Sequence, residues 1–231
     1  MKKPLSYFSP LEIVLWLSSV LVILVSFLAF DRSNFLTLAA SLIGVTSLIF
    51  CAKGNPVGQV LMILFSVLYG IISYTFAYYG EMITYLGMTM PMAVFALISW
   101  LRNPYNGSRS EVRVNCLNKG EQKFIWLATA LVTCAFYFIL RHFHTTNLLP
   151  STISVTTSFL AAYLTFRRNP YFALAYAAND IILIVLWVLA GSTDSRYIPV
   201  AACFAAFLFN DIYGFINWQR MKARQSKGSP T

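Results

Sequence analysis

The chain has 231 residues, of which 58% are hydrophobic and only 11% are charged, and its mean hydropathy is +0.66. Soluble domains are about 25% charged, so this composition excludes a soluble globular protein, and apolar runs that recur along the chain exclude a signal peptide followed by one. The net charge of +9 comes from basic residues in the connections between those runs, which indicates membrane topology rather than nucleic-acid binding.

Eight apolar runs are long enough to cross a bilayer core, which takes about 20 residues of helix. They predict an all-α integral membrane protein with transmembrane helices at residues 11–30, 35–52, 57–79, 82–101, 124–140, 148–166, 171–190 and 197–217. Turn residues separate the runs, as in KGNP at 53–56 and RRNP at 167–170. Gly80-Glu81 is the predicted turn between the third and fourth spans.

The basic residues predict the orientation of these spans. With eight spans both termini lie on one side, and that side holds 14 of the 17 Lys and Arg residues, leaving only Arg32, Arg141 and Arg196 on the other. The positive-inside rule therefore predicts cytoplasmic termini in a multi-pass protein of the plasma (inner) membrane. The basic loop at 102–123 is expected to lie along the lipid surface.

Two landmarks recur along the chain and predict an internal repeat. KGNP at 53–56 resembles RRNP at 167–170, an offset of 114, and ISWLR at 98–102 resembles INWQR at 216–220, an offset of 118. Because three spans change sides and one more returns the chain, the two repeats are parallel. The predicted units are an extra N-terminal helix (1–34), a first three-helix repeat (35–102), a basic loop and linker helix (103–147), a second three-helix repeat (148–220) and a basic tail (221–231).

The stretch AANDIILIVLW at 177–187 places polar residues inside a predicted span. A charged group in hydrocarbon costs about 2.5–3.5 kcal/mol on insertion scales, so Asp180 is expected to face the bundle interior or a wet path. It is either a ligand-binding or gating residue, or a partner in a helix–helix hydrogen bond. Asn179 adjoins it, and Trp187, two turns on, either stacks on a ligand or belongs to an interfacial belt.

Further polar positions are candidates for lining a path or for joining helices. In the last span these are Asn210 and Asn217, which share a stripe, and the flanking Tyr213. In the first repeat they are Gln59, Ser66 and Tyr69. Pro91 should kink the fourth span, either as a hinge for gating or as a packing bend. Asp211 is predicted to lie at a different depth from Asp180, near basic residues.

Motifs for catalysis, metals and cofactors are not found. His142 and His144 form an H-x-H sequence without further ligands nearby, so no metal site is predicted. There is no Walker loop, HExxH or G-x-S-x-G motif, so the chain is not expected to be an enzyme or to carry a cofactor. The four cysteines are well separated in sequence and indicate neither a disulfide framework nor a metal site.

The repeat plan and several motifs resemble the PnuC family of vitamin transporters. The similar stretches are NDIYGFINWQRM at 210–221, the segment from Gly80 through Pro91 to Trp100, and the intramembrane Asp180; the first repeat has a single Trp in SWLRN where many members have two. The resemblance implies a homotrimeric carrier that takes up nicotinamide riboside by facilitated diffusion, followed by trapping through phosphorylation in the cytoplasm. It implies an architecture of 3+1+3 helices, with an extra N-terminal helix as in some members.

Other functions stay open from the residues alone. Nicotinamide riboside and thiamine are both cationic and riboflavin is neutral, and some relatives carry thiamine or riboflavin. Asp180 could also couple transport to protons or sodium. A membrane enzyme acting on lipid or isoprenoid and a structural or assembly protein are the alternatives outside transport.

Overall fold

The computed structural model describes residues 7–145 and 147–227, and its described part is almost entirely helical. Thr146, the C-terminal residues 228–231, and Lys2 and Lys3 of the predicted basic side lie outside the described residues. The helices are α1 (Pro10–Phe30), α2 (Phe35–Ala52), α3 (Val57–Thr75), α4 (Tyr79–Thr84), α5 (Met90–Arg102), α6 (Lys119–His142), α7 (Leu148–Phe166), α8 (Tyr171–Gly191) and α9 (Ile198–Lys227).

Short elements join these helices. A π-helical turn at Tyr85–Thr89 connects α4 to α5, so that the three form one continuous span, and a 3-10 turn at Ser195–Tyr197 precedes α9. Strands β1 (Pro104–Tyr105) and β2 (Ser108–Val112) pair as an antiparallel hairpin. Over residues 7–145 and 147–227, eight helical spans are long and apolar enough to cross a membrane, which confirms the predicted all-α membrane fold.

The spans divide into a buried core and two peripheral helices. Only 22% of the most apolar stretch of α1 and 17% of that of α6 is buried, against 44–56% for α2, α3, α7, α8 and α9. Their outward faces carry large apolar side chains such as Leu21 and Trp126. Because these faces suit a hydrocarbon solvent, α1 and α6 lie at the lipid boundary, and the core forms between the remaining helices.

The predicted turn at Gly80-Glu81 is wrong. Both residues lie inside α4, and the chain turns earlier, at 76–78, where Ala77 has a φ of 59°. Gly80 is needed for close packing instead: a Cβ there would lie 2.7 Å from the Thr145 methyl carbon and 2.9 Å from a Leu140 methyl carbon. Glycine here allows α4 to approach the end of α6.

Two helices extend beyond their predicted ends, because the helical backbone continues past the point at which the sequence becomes polar. Helix α6 begins at Lys119, where Asn118 and Glu121 form a capping box. Helix α9 continues to Lys227, and its tail is held by Gln225, whose amide donates to the Val112 carbonyl and accepts from the Val114 N–H.

The basic connections meet at one end of the bundle. The Val112 N–H donates to the Gly54 carbonyl at 2.9 Å, and the Asn115 N–H donates to the Arg168 carbonyl at 3.0 Å. These contacts join the α2–α3 turn, the segment after the hairpin and the α7–α8 turn, beside the tail of α9. We call this the basic end and the opposite one the far end. Two spans separate each of these connections from the next, so an arrangement in which every span crosses the membrane also places them on one side.

Reciprocal contacts support the predicted repeat. The Trp100 indole N–H donates to the Thr165 carbonyl at 2.9 Å, and the Trp218 indole N–H donates to the Cys51 carbonyl at 2.8 Å. Cys51 and Thr165 are 114 positions apart and the tryptophans 118, the same offsets as in the sequence. Each unit thus closes on the first helix of the other. The parallel 3+1+3 arrangement remains a prediction that these contacts support.

Candidate functional site

A small cavity lies among α2, α3, the π turn, α7, α8 and α9. Its volume is about 20 Å³, which is space for roughly one water molecule. Its apolar lining residues are Leu48, Met62, Phe65, Phe204 and Phe207. Its polar lining residues are Tyr85, Thr89, Ser158, Tyr176, Asn179, Asp180 and Asp211. A buried site with apolar walls and a few convergent polar groups is the usual form of a small-molecule site.

The carboxyl groups of Asp180 and Asp211 meet in this cavity. Both side chains line this one small cavity, so the two groups lie close together, and both residues are buried. The expectation that they lie at different depths is wrong, because α8 and α9 run antiparallel and bring the middle of each helix to the same level. An ionised carboxylate can only accept, so a hydrogen bond between the two requires a proton on one of them. The pair can therefore hold a proton and one negative charge.

Asn179 is fixed by the neighbouring helix α7. Its side-chain oxygen accepts hydrogen bonds from Thr157 at 2.8 Å, from Ser158 at 3.0 Å and from Ser154 at 3.3 Å. Three hydroxyl donors leave that oxygen little capacity for another partner. Asn179 thus holds α8 against α7 and sets the orientation of the cavity wall.

A cluster of aromatic side chains extends from the cavity toward the far end. We call Tyr69, Phe76, Tyr78, Trp187 and Tyr197 the aromatic cluster. The Trp187 indole N–H donates to the Tyr69 hydroxyl at 2.6 Å, and the Tyr78 and Trp187 ring centroids are 4.8 Å apart. Tyr69 also lies 4.3 Å, centroid to centroid, from Tyr85 in the cavity wall. Predicted site residues Tyr69 and Trp187 are therefore joined to the cavity.

Exposure changes steadily along the cluster. Trp187 is fully buried, whereas Tyr78, Phe76 and Tyr197 are partly exposed at the far end. Burial raises the pKa of the Tyr78 phenol, and the nearby Tyr197 and Glu81 raise it further. The cluster forms a continuous aromatic column from the surface to the cavity.

The other predicted site residues bond to protein groups outside the cavity in this conformation. Three bond to α1 or α2: the Asn210 amide donates to Ser19 at 2.9 Å, the Tyr213 hydroxyl donates to Glu12 at 2.8 Å, and the Asn217 amide donates to the Ala52 carbonyl at 2.8 Å.

Two polar side chains of α3 are engaged locally. The Gln59 amide donates to the Cys51 sulfur at 3.3 Å, and the Ser66 hydroxyl donates to the Met62 carbonyl of its own helix at 2.8 Å. Like the three residues on α9, these two do not line the cavity, and their contact with a ligand stays a prediction.

Pro91 follows the π turn by two residues. Proline has no N–H to donate to the carbonyl four positions earlier, that of Gly87, and its ring crowds that carbonyl. A wider π turn accommodates both effects, and such turns are frequent at functional sites. Thr89 and Tyr85 of this turn line the cavity, so the irregular backbone lies directly at the candidate site.

Several residues of the site were not recognised from sequence. Tyr85, Tyr176, Thr89 and Ser158 stand among other aromatic and hydroxyl residues of apolar spans, and no sequence signal separated them. Asp211 was noted but its pairing with Asp180 was not. Over the part of the chain that the structure describes, no group of three His, Cys, Asp or Glu side chains could hold a metal ion.

Comparisons with known proteins agree with this architecture. A family model described as nicotinamide mononucleotide transporter matches residues 34–220. A nicotinamide riboside transporter PnuC from Neisseria mucosa is 28% identical over 217 residues, covering 91% of this chain and 82% of that protein. One of the same name from Haemophilus influenzae is 22% identical over 221 residues, covering 95% and 94%. A crystal structure of the vitamin B3 transporter PnuC matches the fold with a TM-score of 0.82, at 24% identity, over 94% of each chain.

Proposed function

The chain belongs to the nicotinamide mononucleotide transporter family and is a multi-pass membrane transporter, and we propose that it carries nicotinamide riboside by facilitated diffusion. Phosphorylation of the riboside in the cytoplasm would then trap it. The relatives from Neisseria mucosa and Haemophilus influenzae, which bear the name of nicotinamide riboside transporters, support this substrate. The observation that carries the proposal is the carboxyl pair in a cavity walled by aromatic rings.

The chemistry of the cavity favours a cation with hydroxyl groups. Nicotinamide riboside has a fixed positive charge on its ring, which suits a carboxylate and the faces of aromatic side chains. Its ribose hydroxyls suit Asn179 and the neighbouring phenols and hydroxyls. No described Lys or Arg side chain lines the cavity. A phosphate would therefore meet carboxylates without a compensating cation, and this favours the riboside over the mononucleotide.

Binding requires the cavity to enlarge, since its present volume of about 20 Å³ is far below the size of a typical ligand pocket, roughly 300–1,000 Å³. We infer that the two three-helix units separate at one end at a time, with the π turn and Pro91 as the hinge. Asp180, Asn179, Tyr69 and Trp187 would contact the substrate first.

As the units part, the remaining predicted residues would face the opened path. These are Gln59, Ser66, Asn210, Tyr213 and Asn217, each of which now bonds to another protein group.

The orientation and assembly are also proposals. The basic end, where the connections after α2, α5 and α7 meet, would face the cytoplasm by the positive-inside rule. Both termini would then lie in the cytoplasm, in the inner (plasma) membrane of the cell. Homotrimer formation is inferred from the resemblance to the PnuC family.

Uptake into vesicles tests the substrate. Purified protein in liposomes should equilibrate labelled nicotinamide riboside, while nicotinamide mononucleotide, thiamine and riboflavin enter no faster than into empty vesicles. Preloading with unlabelled riboside should accelerate entry of the label by exchange. Selective entry of thiamine or riboflavin would move the function to another vitamin, and entry of none would contradict the proposal.

The two acids Asp180 and Asp211 in one cavity favour one second candidate, a proton-coupled carrier, because such a pair can bind and release a proton. Facilitated diffusion predicts that the riboside reaches the same concentration on both sides whether or not a proton gradient is imposed. Accumulation above that level, abolished by a protonophore, would establish coupling instead.

A further inference from the structure

Glu81 is a buried carboxyl that the central cavity does not use. It lies in the first turn of α4 with 1% of its surface exposed, and it does not line the cavity. Among the described residues, neither side-chain oxygen has a hydrogen-bond partner. Buried carboxylates are normally paired or hydrogen-bonded because the loss of hydration is costly, so this one requires an explanation.

No basic group compensates Glu81. It takes part in none of the ion pairs of the described residues. A helix-joining role would leave at least one hydrogen bond, which is absent here. An uncompensated acid in a transporter is well placed to receive a cation from outside the protein.

The surroundings of Glu81 have the chemistry of a cation site. Glu81 follows Tyr78 of the aromatic cluster by three residues and precedes Tyr85 of the cavity wall by four, about one helical turn on either side. Tyr85 in turn lies 4.3 Å, centroid to centroid, from Tyr69. A carboxylate beside electron-rich aromatic rings suits cations that carry no hydrogen-bond donor on the charged atom.

The position of Glu81 suits the far end of a path. Tyr78 and Tyr197 at the surface have ring centroids 5.8 Å apart, and Trp187 lies behind them. Separation of these rings would open a way from the surface, past Glu81 and Tyr69, to Tyr85 and the carboxyl pair. The acid is therefore met before the cavity by a molecule that enters at this end.

We propose that Glu81 and the aromatic cluster form a cation-selecting entry site, which binds the positively charged ring and passes it to the Asp180–Asp211 cavity. This inference rests on the proposed function for the identity of the ring. It adds a second recognition step, at the far end, that selects for charge before the substrate reaches the centre.

The test compares one ring in two charge states. Oxidised nicotinamide riboside is cationic, whereas its reduced dihydro form is neutral and nearly the same size. In liposomes, Glu81→Gln should raise the KM for the oxidised riboside about tenfold, as expected for loss of one partly screened charge interaction, and leave that for the reduced form unchanged. Glu111→Gln, which removes a carboxylate at the basic end, should alter neither.

A binding measurement separates this inference from the proposed function. The 1-methylnicotinamide cation has the charged ring without the ribose, and calorimetry should show it binding to the wild type and about tenfold more weakly to Glu81→Gln. Equal affinity of the two proteins would overturn the entry site even if riboside uptake is normal. If the cation binds to the wild type and not to the variant, but the wild type transports no riboside, the entry site is supported and the proposed substrate is wrong.

The variant is expected to fold, because glutamine has the shape of a protonated glutamate and keeps the same packing. A monodisperse profile in detergent verifies this. If the KM for the reduced riboside rises as much as that for the oxidised form, Glu81 acts on packing rather than on charge, and the proposal is wrong.

Discussion

At the scale of single residues, the pairing of two acids distinguishes this core from an ordinary helix bundle. An aspartate inside a membrane is costly, and two in contact are tolerated only when a proton or a cation lies between them. No hydroxyl, amide or basic group of the described residues donates to the Asp180 Oδ2 atom, so the protein itself does not neutralise this pair. The pair is therefore the most direct point of attachment for a cationic ring or a ribose hydroxyl.

Replacing either acid tests this role. Asp211→Asn and Asp180→Asn each remove one ionisable group and leave a side chain that can hydrogen-bond across the pair, so the fold should persist. We expect the affinity for nicotinamide riboside to fall about ten- to a hundredfold in each, because a hydrogen bond involving a charged group is worth roughly 1.5–3 kcal/mol. Titration calorimetry measures the change.

The matched control is Asp194→Asn in the connection before α9, which alters an exposed ion pair with Arg196. The affinity of this variant for nicotinamide riboside should equal that of the wild type. Unchanged binding in both core variants would show that the carboxyl pair is structural, and would move the site elsewhere along the path.

At the scale of elements, one acidic side chain of the extra helix α1 bonds to two separate parts of the core. Glu12 completes a capping box with Ser9, accepts from Lys53 at 3.1 Å and from the Tyr213 hydroxyl at 2.8 Å, and is itself 2% exposed. One carboxylate thus bonds to the α2–α3 turn and to α9. Apolar contact alone would hold α1 weakly, since lipid is as apolar as the helix.

Substituting Glu12 should therefore loosen α1 without abolishing transport. Glu12→Gln loses the ion pair and is expected to lower the free energy of unfolding by about 1–3 kcal/mol, the usual cost of an impaired buried hydrogen-bonded group. Thermal unfolding in detergent measures this. Riboside uptake should be retained at temperatures below the transition.

Glu121 provides the comparison within the same chain. It also completes a capping box and pairs with a basic residue, Arg167, but its side chain is 26% exposed. Glu121→Gln should cost less than about 1 kcal/mol, as exposed ion pairs do. Equal destabilisation by the two variants would show that Glu12 has no special role in holding α1.

At the scale of the whole molecule, the sequence predicts the fold better than the site. Hydropathy locates the spans because every helix that crosses the lipid needs an apolar surface. It does not show that α6 begins at Lys119 or that α9 continues to Lys227, since helices continue into water where the charges begin. The turn predicted at Gly80-Glu81 fails for a related reason: glycine serves close packing as well as turns.

The site depends on relationships that one sequence does not encode locally. Asp180 is recognisable because a single acid in an apolar run is unusual. Its proximity to Asp211 depends on the packing register of α8 against α9, and the isolation of Glu81 depends on what the neighbouring helices leave unpaired. Asn210, Tyr213 and Asn217 look equally suited to a ligand or to a neighbouring helix until the structure assigns them partners.

The small cavity leads to a prediction about motion of the whole molecule. Tyr78 belongs to the first unit and Tyr197 to the second, and their contact closes the far end. If transport requires the units to part there, a short cross-link between cysteines at these positions should reduce riboside exchange to the level of empty vesicles.

The cross-link is made with a thiol-specific bifunctional reagent that a reductant cleaves, in a background with Ser in place of Cys116 and Cys134, the two exposed cysteines. Exchange should return after reduction, and the uncross-linked double variant sets the reference for any effect of losing the two phenols. A second pair at the basic end, Ser99→Cys with Arg168→Cys, joins the same two units at residues whose side chains already bond to each other. If access alternates between the two ends, either cross-link alone should stop exchange, because each leaves the cavity reachable from only one side. Persistent exchange in the far-end cross-linked protein would show that substrate bypasses the aromatic cluster, and the path would then have to leave the cavity between helices instead of between the two units.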